Sequence, residues 1–400
     1  MGDRTVNDFD LDLKERLDSL REQNLFRELR RVDSPQSPRI QMNGRALLNF
    51  SSNDYLGLAN DSILKEAAIR AVEKYGAGSG ASRLICGSLA PLHELEEALA
   101  DYKKTEAALT FSTGYATALG TICALLGKED IVILDKLVHA SIVDAARLSG
   151  AKIRVFAHND LNDLEDKLKW ATSNSHHSSP ATRHILIVTE SIFSMDGDAA
   201  PLREMVELKN KFGVWLMVDE AHATGIIGQN GRGLAEALGV AGQIEIKMGT
   251  LGKALGAGGG FICGSRTLID FLVNSARSFI FSTAPVPAAA AAATAAIRFV
   301  QSAEGESRRK KLFARVTELQ SQIANRKSQI QSAIVPMILG DEDKAIEAAV
   351  TLREQNIFVP AIRYPTVARG KARLRITLTA AHSSSEISRL SGALAEIINH

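Results

Sequence analysis

Short apolar runs recur between residues 107 and 263 and alternate with helix-like patterns. Ala107–Phe111, Ile131–Leu134, Lys152–Phe156, Ile185–Thr189, Val214–Val218, Glu245–Met248 and Gly260–Cys263 have the length and apolar character of strands. Pro91–Tyr102 and Leu202–Phe212, between them, have helical spacing, and Gly213 follows the second as a C-cap would. This alternation predicts an α/β fold with a mostly parallel sheet and helices on both faces. Ligands of such sheets bind at the carboxyl ends of strands, where loops converge, so chemistry is expected there.

The flanks are simpler. Leu11 to Arg31 reads as a charged amphipathic helix, broken by Ser34-Pro-Gln-Ser-Pro. Ala46–Ser51 is a short apolar run, followed by turn chemistry at Asn53-Asp54 and Gly57. The alanine-rich stretch Pro285–Val300 carries Arg298, which predicts a packed helix rather than a membrane span. From Arg308 onward a smaller helix-and-strand layer is expected. Thr172–Arg183 reads as an exposed loop; its His176-His177 pair has diverging side chains and no third ligand, so no metal site is expected.

With 47 Lys plus Arg against 46 Asp plus Glu, the net charge of +1 gives no hold on nucleic acid or an anionic membrane surface. Cys86, Cys123 and Cys263 are far apart without metal-ligand spacing, and the first residues contain no apolar signal core. A cytoplasmic protein with reduced thiols is expected.

Two strand tips carry unusual residues. Val214-Trp-Leu-Met-Val delivers Asp219, with Glu220 and His222 just beyond, and Glu245-Ile-Lys-Met-Gly-Thr250 runs into Leu251-Gly252-Lys253-Ala254. An isolated Asp at a strand end is more often a helix cap or ion-pair partner. Paired with a lysine on a neighbouring tip it suits pyridoxal 5′-phosphate (PLP): the Asp keeps the pyridine nitrogen protonated and the Lys forms the imine. A phosphate loop is excluded, because Lys247 and Ala254 stand where that motif needs Gly and Ser or Thr. Gly76-Ala-Gly78-Ser-Gly80 follows the apparent helix Ile63–Tyr75, so Gly76 reads as a helix C-cap rather than part of a dinucleotide fingerprint. Phe111-Ser-Thr113-Gly114-Tyr115-Ala116 follows a strand and opens a helix, where amides and helix dipole favour a phosphate. His139, after another strand, suits either stacking on an aromatic cofactor or a structural hydrogen bond.

These segments carry a family resemblance. Gly249-Thr-Leu-Gly-Lys253-Ala-Leu-Gly256, Asp219-Glu-Ala-His222, Asn49-Phe-Ser-Ser-Asn53-Asp-Tyr-Leu-Gly-Leu58, Thr189-Glu-Ser-Ile-Phe-Ser194-Met-Asp-Gly-Asp198 and Phe281-Ser-Thr283 resemble the α-oxoamine synthases, which are fold type I PLP enzymes. The resemblance is strongest to the branch that joins L-alanine to a pimeloyl thioester in biotin biosynthesis. It is carried there by Phe156-Ala-His158-Asn-Asp160, Gly78-Ser-Gly-Ala-Ser-Arg83, Ala361-Ile-Arg363-Tyr-Pro-Thr366 and Ala372-Arg-Leu-Arg375 to His382. Ile85-Cys86-Gly87 and the run from Gly249 to Gly256 also resemble a branch that joins glycine to acetyl-CoA; Glu220 stands where a second Asp is frequent, and Tyr115 where Phe is.

The resemblance implies a homodimeric acyltransferase with a large domain over 60–290, a small C-terminal domain over 291–400, and an arm, 1–59, that joins the small domain. Lys253 is the implied Schiff-base lysine and general base; Asp219 pairs with the ring nitrogen, His139 stacks on the ring, and Ser194 and His222 bond the phenolic oxygen. Thr113, Gly114, Tyr115 and Thr250 surround the phosphate and cofactor, and Thr283 reaches the phosphate of the neighbouring subunit. Asn53 and Arg375 hold the amino-acid carboxylate, as a guanidinium fork would. A pimeloyl chain ends in a second carboxylate, for which Arg30, Arg363 and the adjoining Thr366 are candidates. The acyl donor is a CoA or acyl-carrier-protein thioester. A non-catalytic scaffold subunit is the opposing expectation, against which Lys253, Asp219 and His222 are all retained.

Overall fold

The computed structural model describes residues 6–175, 184–323 and 332–398. Strands β1 (Arg39–Met42) and β2 (Arg45–Asn49) form an antiparallel hairpin in which Met42 faces Arg45. The two-residue turn has Asn43 at φ 50° and Gly44 at φ 75°, the positive φ values that match the twist of a hairpin.

The central sheet is built from β3 (Ala107–Phe111), β4 (Ile131–Asp135), β5 (Lys152–Phe156), β6 (Ile185–Glu190), β7 (Trp215–Asp219), β8 (Ile246–Thr250) and β9 (Gly260–Gly264), in the order β3-β9-β8-β7-β6-β4-β5. Only β9 runs against its neighbours. β4 and β6 are buried along their whole length, which is why they read as unbroken apolar runs. Edge strand β5 is instead partly exposed, and Lys152 and Arg154 blunt it.

The helices begin and end on local chemistry. Asp61 caps Ser62–Tyr75 by accepting from Ile63 N, and Gly76 closes it at φ 80°. Leu202–Phe212 ends at Gly213 in the left-handed region. The alanine-rich helix Pro287–Val300 packs against Ser62–Tyr75 and Ala90–Lys103. No helix among the described residues is long and apolar enough to cross a membrane.

C-terminal strand β10 (Ile334–Gly340) pairs with β13 (Ala372–Thr377); β11 (Ile357–Phe358) extends the β1-β2 hairpin in parallel, and β12 (Ala361–Ile362) pairs with β13. The arm is stitched to this layer: Thr377 N donates to Phe50 O at 2.8 Å, Ala380 N to Tyr55 O at 2.8 Å, and His382 stacks on Phe50.

Two expectations are corrected. The first helix covers Val6–Glu22 rather than Leu11 to Arg31. Asn24 turns left-handed at φ 55°, with Asn24 N on the Arg21 carbonyl at 3.0 Å and Leu25 N on the Leu20 carbonyl at 2.8 Å, so a local C-cap ends the helix before the proline segment; Arg363 Nε then takes the Asn24 carbonyl at 2.6 Å. Residues 172–175, expected in a loop, complete the helix Leu161–Ser175. His176 and His177 lie outside the described residues.

Candidate active site

The parallel register sets the tips of β6, β7 and β8 side by side: Glu190 faces Asp219, and Asp219 faces Met248. Beyond β8 the chain turns, with Thr250 Oγ1 accepting from Gly252 N at 3.1 Å, and presents Lys253.

Lys253 begins a hydrogen-bonded chain. Its Nζ lies 2.6 Å from His222 Nε2, and His222 Nδ1 lies 2.5 Å from the Tyr55 hydroxyl. Tyr55 donates to Asn53 Oδ1 at 3.3 Å, and both terminal nitrogens of Arg375 donate to that same oxygen at 3.2 Å. Burial and the charge of Lys253 hold His222 well below its ordinary pKa, so its ring is neutral and carries one proton. The orientation that satisfies every member has Lys253 donating to Nε2, Nδ1–H donating to Tyr55, and Tyr55 donating to Asn53. Burial pushes the fully enclosed Tyr55 up to about 12, which keeps it a hydroxyl. Burial also lowers Lys253, against the opposing pull of Asp219 and Glu190.

Asp219 is buried and accepts from Ala221 N at 2.9 Å. It has no ion-pair partner at its carboxylate among the described residues; burial raises its pKa while Lys253 pulls it down. Beside it Glu190 is raised by burial and by the charge of Asp219, and its Oε1 has no hydrogen-bond partner. The backbone N–H groups of His139 and Ser194 favour the charged form of Glu190.

His139 caps the helix Ala140–Ser149 through Nδ1, which accepts from Ser141 N at 3.2 Å, and burial lowers its pKa. Thr113 caps Gly114–Leu125 by accepting from Ala116 N at 3.0 Å. The helix start sits tight on β9 and the tip of β8: a Cβ on Gly260 would lie 2.8 Å from Gly114 Cα, and one on Gly114 would lie 3.7 Å from Thr250 Cβ. Tyr115 is exposed and donates to Asp144 at 2.8 Å.

These residues fit PLP. An uncompensated buried carboxylate suits a protonated ring nitrogen, a buried amine suits an aldehyde, and an open helix N-terminus suits a phosphate. Ser194 joins through its backbone carbonyl, which accepts from Arg375 Nε at 2.6 Å.

Other sequence candidates lie apart from this chain of contacts. Thr283 is exposed, its backbone bridged to Ser82. Arg363 donates to the carbonyls of Asn24 and Phe26, and the charges of Arg27 and Arg30 act on it. Arg30 and Thr366 are exposed. Sequence reasoning passed over Tyr55 and Glu190, although both stand inside segments that carried the resemblance; Tyr55 sat in what read as turn chemistry, and Glu190 one residue past the end of its apolar run.

Glu220 has a structural explanation. Its carboxylate receives Lys103 Nζ at 2.9 Å and Ala235 N at 3.0 Å, with both charged side chains buried. It ties the segment after β7 to the helix Ala90–Lys103 and to the start of Leu234–Ala237.

Comparison with known proteins agrees with the geometry. The model of aminotransferase class I and II matches residues 45–394. An 8-amino-7-oxononanoate synthase of Geotalea daltonii is 46% identical, over 96% of this chain and 96% of its own. Among solved structures, serine palmitoyltransferase from S. paucimobilis with bound PLP-myriocin aldimine superposes with a TM-score of 0.89 at 31% identity, covering 99% of each chain. 8-Amino-7-oxononanoate synthase from Francisella tularensis gives a TM-score of 0.74 at 27% identity, over 88% of this chain and 98% of that one. The chain therefore belongs to the class I and II aminotransferase family of fold type I PLP enzymes and, within it, to the α-oxoamine synthases.

Proposed function

We propose that the protein condenses L-alanine with a pimeloyl thioester, releasing CO2 and the free thiol and giving 8-amino-7-oxononanoate for biotin biosynthesis. The observation that carries this is the continuous contact from Lys253 through His222, Tyr55 and Asn53 to Arg375, which joins an amine base to a carboxylate-binding fork. The full-length likeness to 8-amino-7-oxononanoate synthases supports the choice of substrates.

PLP, when bound, supplies an aldehyde for the amino-acid nitrogen and an electron-poor ring that spreads the charge left by the α-proton. Lys253 holds the cofactor and, once freed by the incoming amino acid, takes the α-proton; its lowered pKa raises the fraction in the basic form. Asp219 keeps a negative charge against the ring nitrogen, His139 covers the ring face, and Ser194 and His222 hold the phenolic oxygen. Thr113, Gly114, Tyr115 and Thr250 hold the phosphate end, with Thr283 reaching across to the neighbouring subunit of a homodimer. Asn53 and Arg375 orient the alanine carboxylate. Arg30 and Arg363, with the adjoining Thr366, are the candidates to meet the far carboxylate of the pimeloyl chain.

The domain division at residues 60 and 290, a cytoplasmic setting, and CoA or an acyl carrier protein as thiol carrier belong to the same proposal. The test is a product assay that offers alanine or glycine with pimeloyl-CoA or acetyl-CoA. Product is expected from alanine with pimeloyl-CoA. A preference for glycine with acetyl-CoA moves the assignment to the glycine-using branch.

A further inference from the structure

Phe156-Ala-His158-Asn-Asp160 carries part of the family resemblance, yet no role above uses it. His158 follows β5 and lies between carboxylates of two different elements. Its Nδ1 is 3.0 Å from Asp135 Oδ1 at the tip of β4, and its Nε2 is 2.7 Å from Asp198 Oδ2. With a carboxylate on each ring nitrogen both nitrogens must donate, so the ring is an imidazolium. Burial lowers its pKa, but the hydrogen bonds and charges of Asp135 and Asp198 more than reverse this and hold it at about 10. Phe193 packs edge-on against the ring, with centroids 4.3 Å apart. Asn159 adds its backbone N–H to Asp135 Oδ2 at 2.9 Å and its side-chain N–H to Asp198 Oδ2 at 3.1 Å.

Asp198 belongs to the loop 191–199, whose ends pair at Ile192 and Ala199. β13 grips the other side of that loop. Arg375 Nε donates to the Ser194 carbonyl at 2.6 Å, and Arg373 donates to the Met195 carbonyl at 3.1 Å and to Asp196 at 2.6 Å. Gly197, at φ 71°, has no space to spare, since a Cβ there would lie 2.4 Å from Ile334 O. The loop is thus held to β13 by two arginines and to the central sheet by Ser191 N on the Asp219 carbonyl at 2.8 Å, by Asn159 on Asp198 and the Ala199 carbonyl, and by one charged contact, His158 on Asp198.

We propose that His158 is a positioning residue for amino-acid binding: the Asp135–His158–Asp198 clamp fixes the loop whose Ser194 carbonyl aims Arg375 at the substrate carboxylate. This rests on the assignment of Arg375 and Ser194 made under the proposed function. Without the imidazolium, Asp198 keeps only the neutral Asn159 side-chain N–H, and the loop shifts toward β13. Arg375 then keeps Asn53 and Thr377 but loses its fixed reference on the central sheet. The contact from Lys253 to Tyr55 lies on other elements and is untouched. The defect therefore falls on carboxylate binding rather than on proton removal, because small misplacement of a binding group is costly.

The experiment uses PLP-loaded wild type, His158→Asn, Asp198→Asn and the double variant. L-Alanine is titrated calorimetrically, the visible absorbance and steady-state kinetics are recorded, and amide exchange is followed over 191–199. Each single variant should raise the alanine dissociation constant and KM about tenfold and leave kcat within about threefold. The double variant should fall short of the sum of the two singles, since both remove the His158–Asp198 contact. Exchange should rise over 191–199 and stay unchanged in β6 and β7. Wild-type alanine affinity in His158→Asn overturns the proposal. A parallel fall of kcat and melting temperature without the KM effect also overturns it, because it shows a role in folding alone. Should His158→Asn fail to fold, Asp198→Asn decides by the same criteria. A wild type that takes up no PLP, or ignores alanine, sinks the functional assignment instead of the clamp.

Discussion

Tyr55 hands a hydrogen bond from His222 to Asn53 in a place that water does not reach. Removing only the hydroxyl leaves the buried His222 Nδ1 without its partner, and an unmet buried polar group costs about 1–3 kcal/mol. Tyr55→Phe should lose about that much in denaturant unfolding and bind alanine more weakly through Asn53; an unchanged unfolding midpoint would refute the relay. Asp219→Asn removes a charge at nearly constant shape. It should retain PLP but lose turnover on the order of a hundredfold or more, as sites lose when a preorganised charge goes. Near-normal turnover in that variant would make Asp219 a structural residue. His158 sets a pH dependence. Its folded pKa, about 10, is raised above the ordinary value of 6.5. Its contribution is therefore complete below the ordinary value and is lost as pH rises through about 10. The melting temperature of wild type should exceed that of His158→Asn at pH 6 and converge with it as pH approaches 10. Residues such as Lys253 and Asp219 could be read from the sequence because each ends an apolar run. Glu190 follows an apolar run in the same way, but its importance shows only in the register that sets it beside Asp219.

Among the elements, the strands were the most readable, because burial on both faces writes them as continuous apolar runs. The first helix was not. Its charged periodicity continues past Glu22, and what stops it is Asn24 in the left-handed region, with Leu25 N closing on the Leu20 carbonyl at 2.8 Å, a cap that the periodicity hides. The helix Leu202–Phe212 carries the more readable stop, a glycine. Gly213 sits at φ 65° and ψ 40°, and a Cβ there would meet nothing within 4 Å. Gly213→Ala thus isolates the backbone cost of the left-handed region, about 1 kcal/mol. Equilibrium unfolding should report that loss with activity unchanged at temperatures well below the transition; an equally stable variant would show that the C-cap carries no conformational penalty.

At the scale of the whole molecule, Leu84, Ile85 and Phe281 are 51%, 79% and 70% exposed, and the bridge between Ser82 and Thr283 draws their segments together. Apolar side chains gathered in this way mark an interaction surface. The proposed homodimer covers them and brings Thr283 to the neighbouring site. Dilution should then cost activity and bound PLP together, with protein concentration setting the midpoint. A fully active monomer in sedimentation would contradict it.

The pairing of Asn53 with Arg375 spans 322 residues, and the Ser194 carbonyl reaches the same arginine from the middle of the chain. A ribosome adding about 5–20 residues per second needs roughly 15 to 65 seconds between making the first partner and the last. Through that interval the apolar arm around Phe50 and Tyr55 is outside the tunnel without the strand that covers it. The central sheet, by contrast, has all its strands by residue 264. Synthesis therefore completes the central sheet first and the proposed site last, and a chain cut short before β13 has Lys253 but not Arg375.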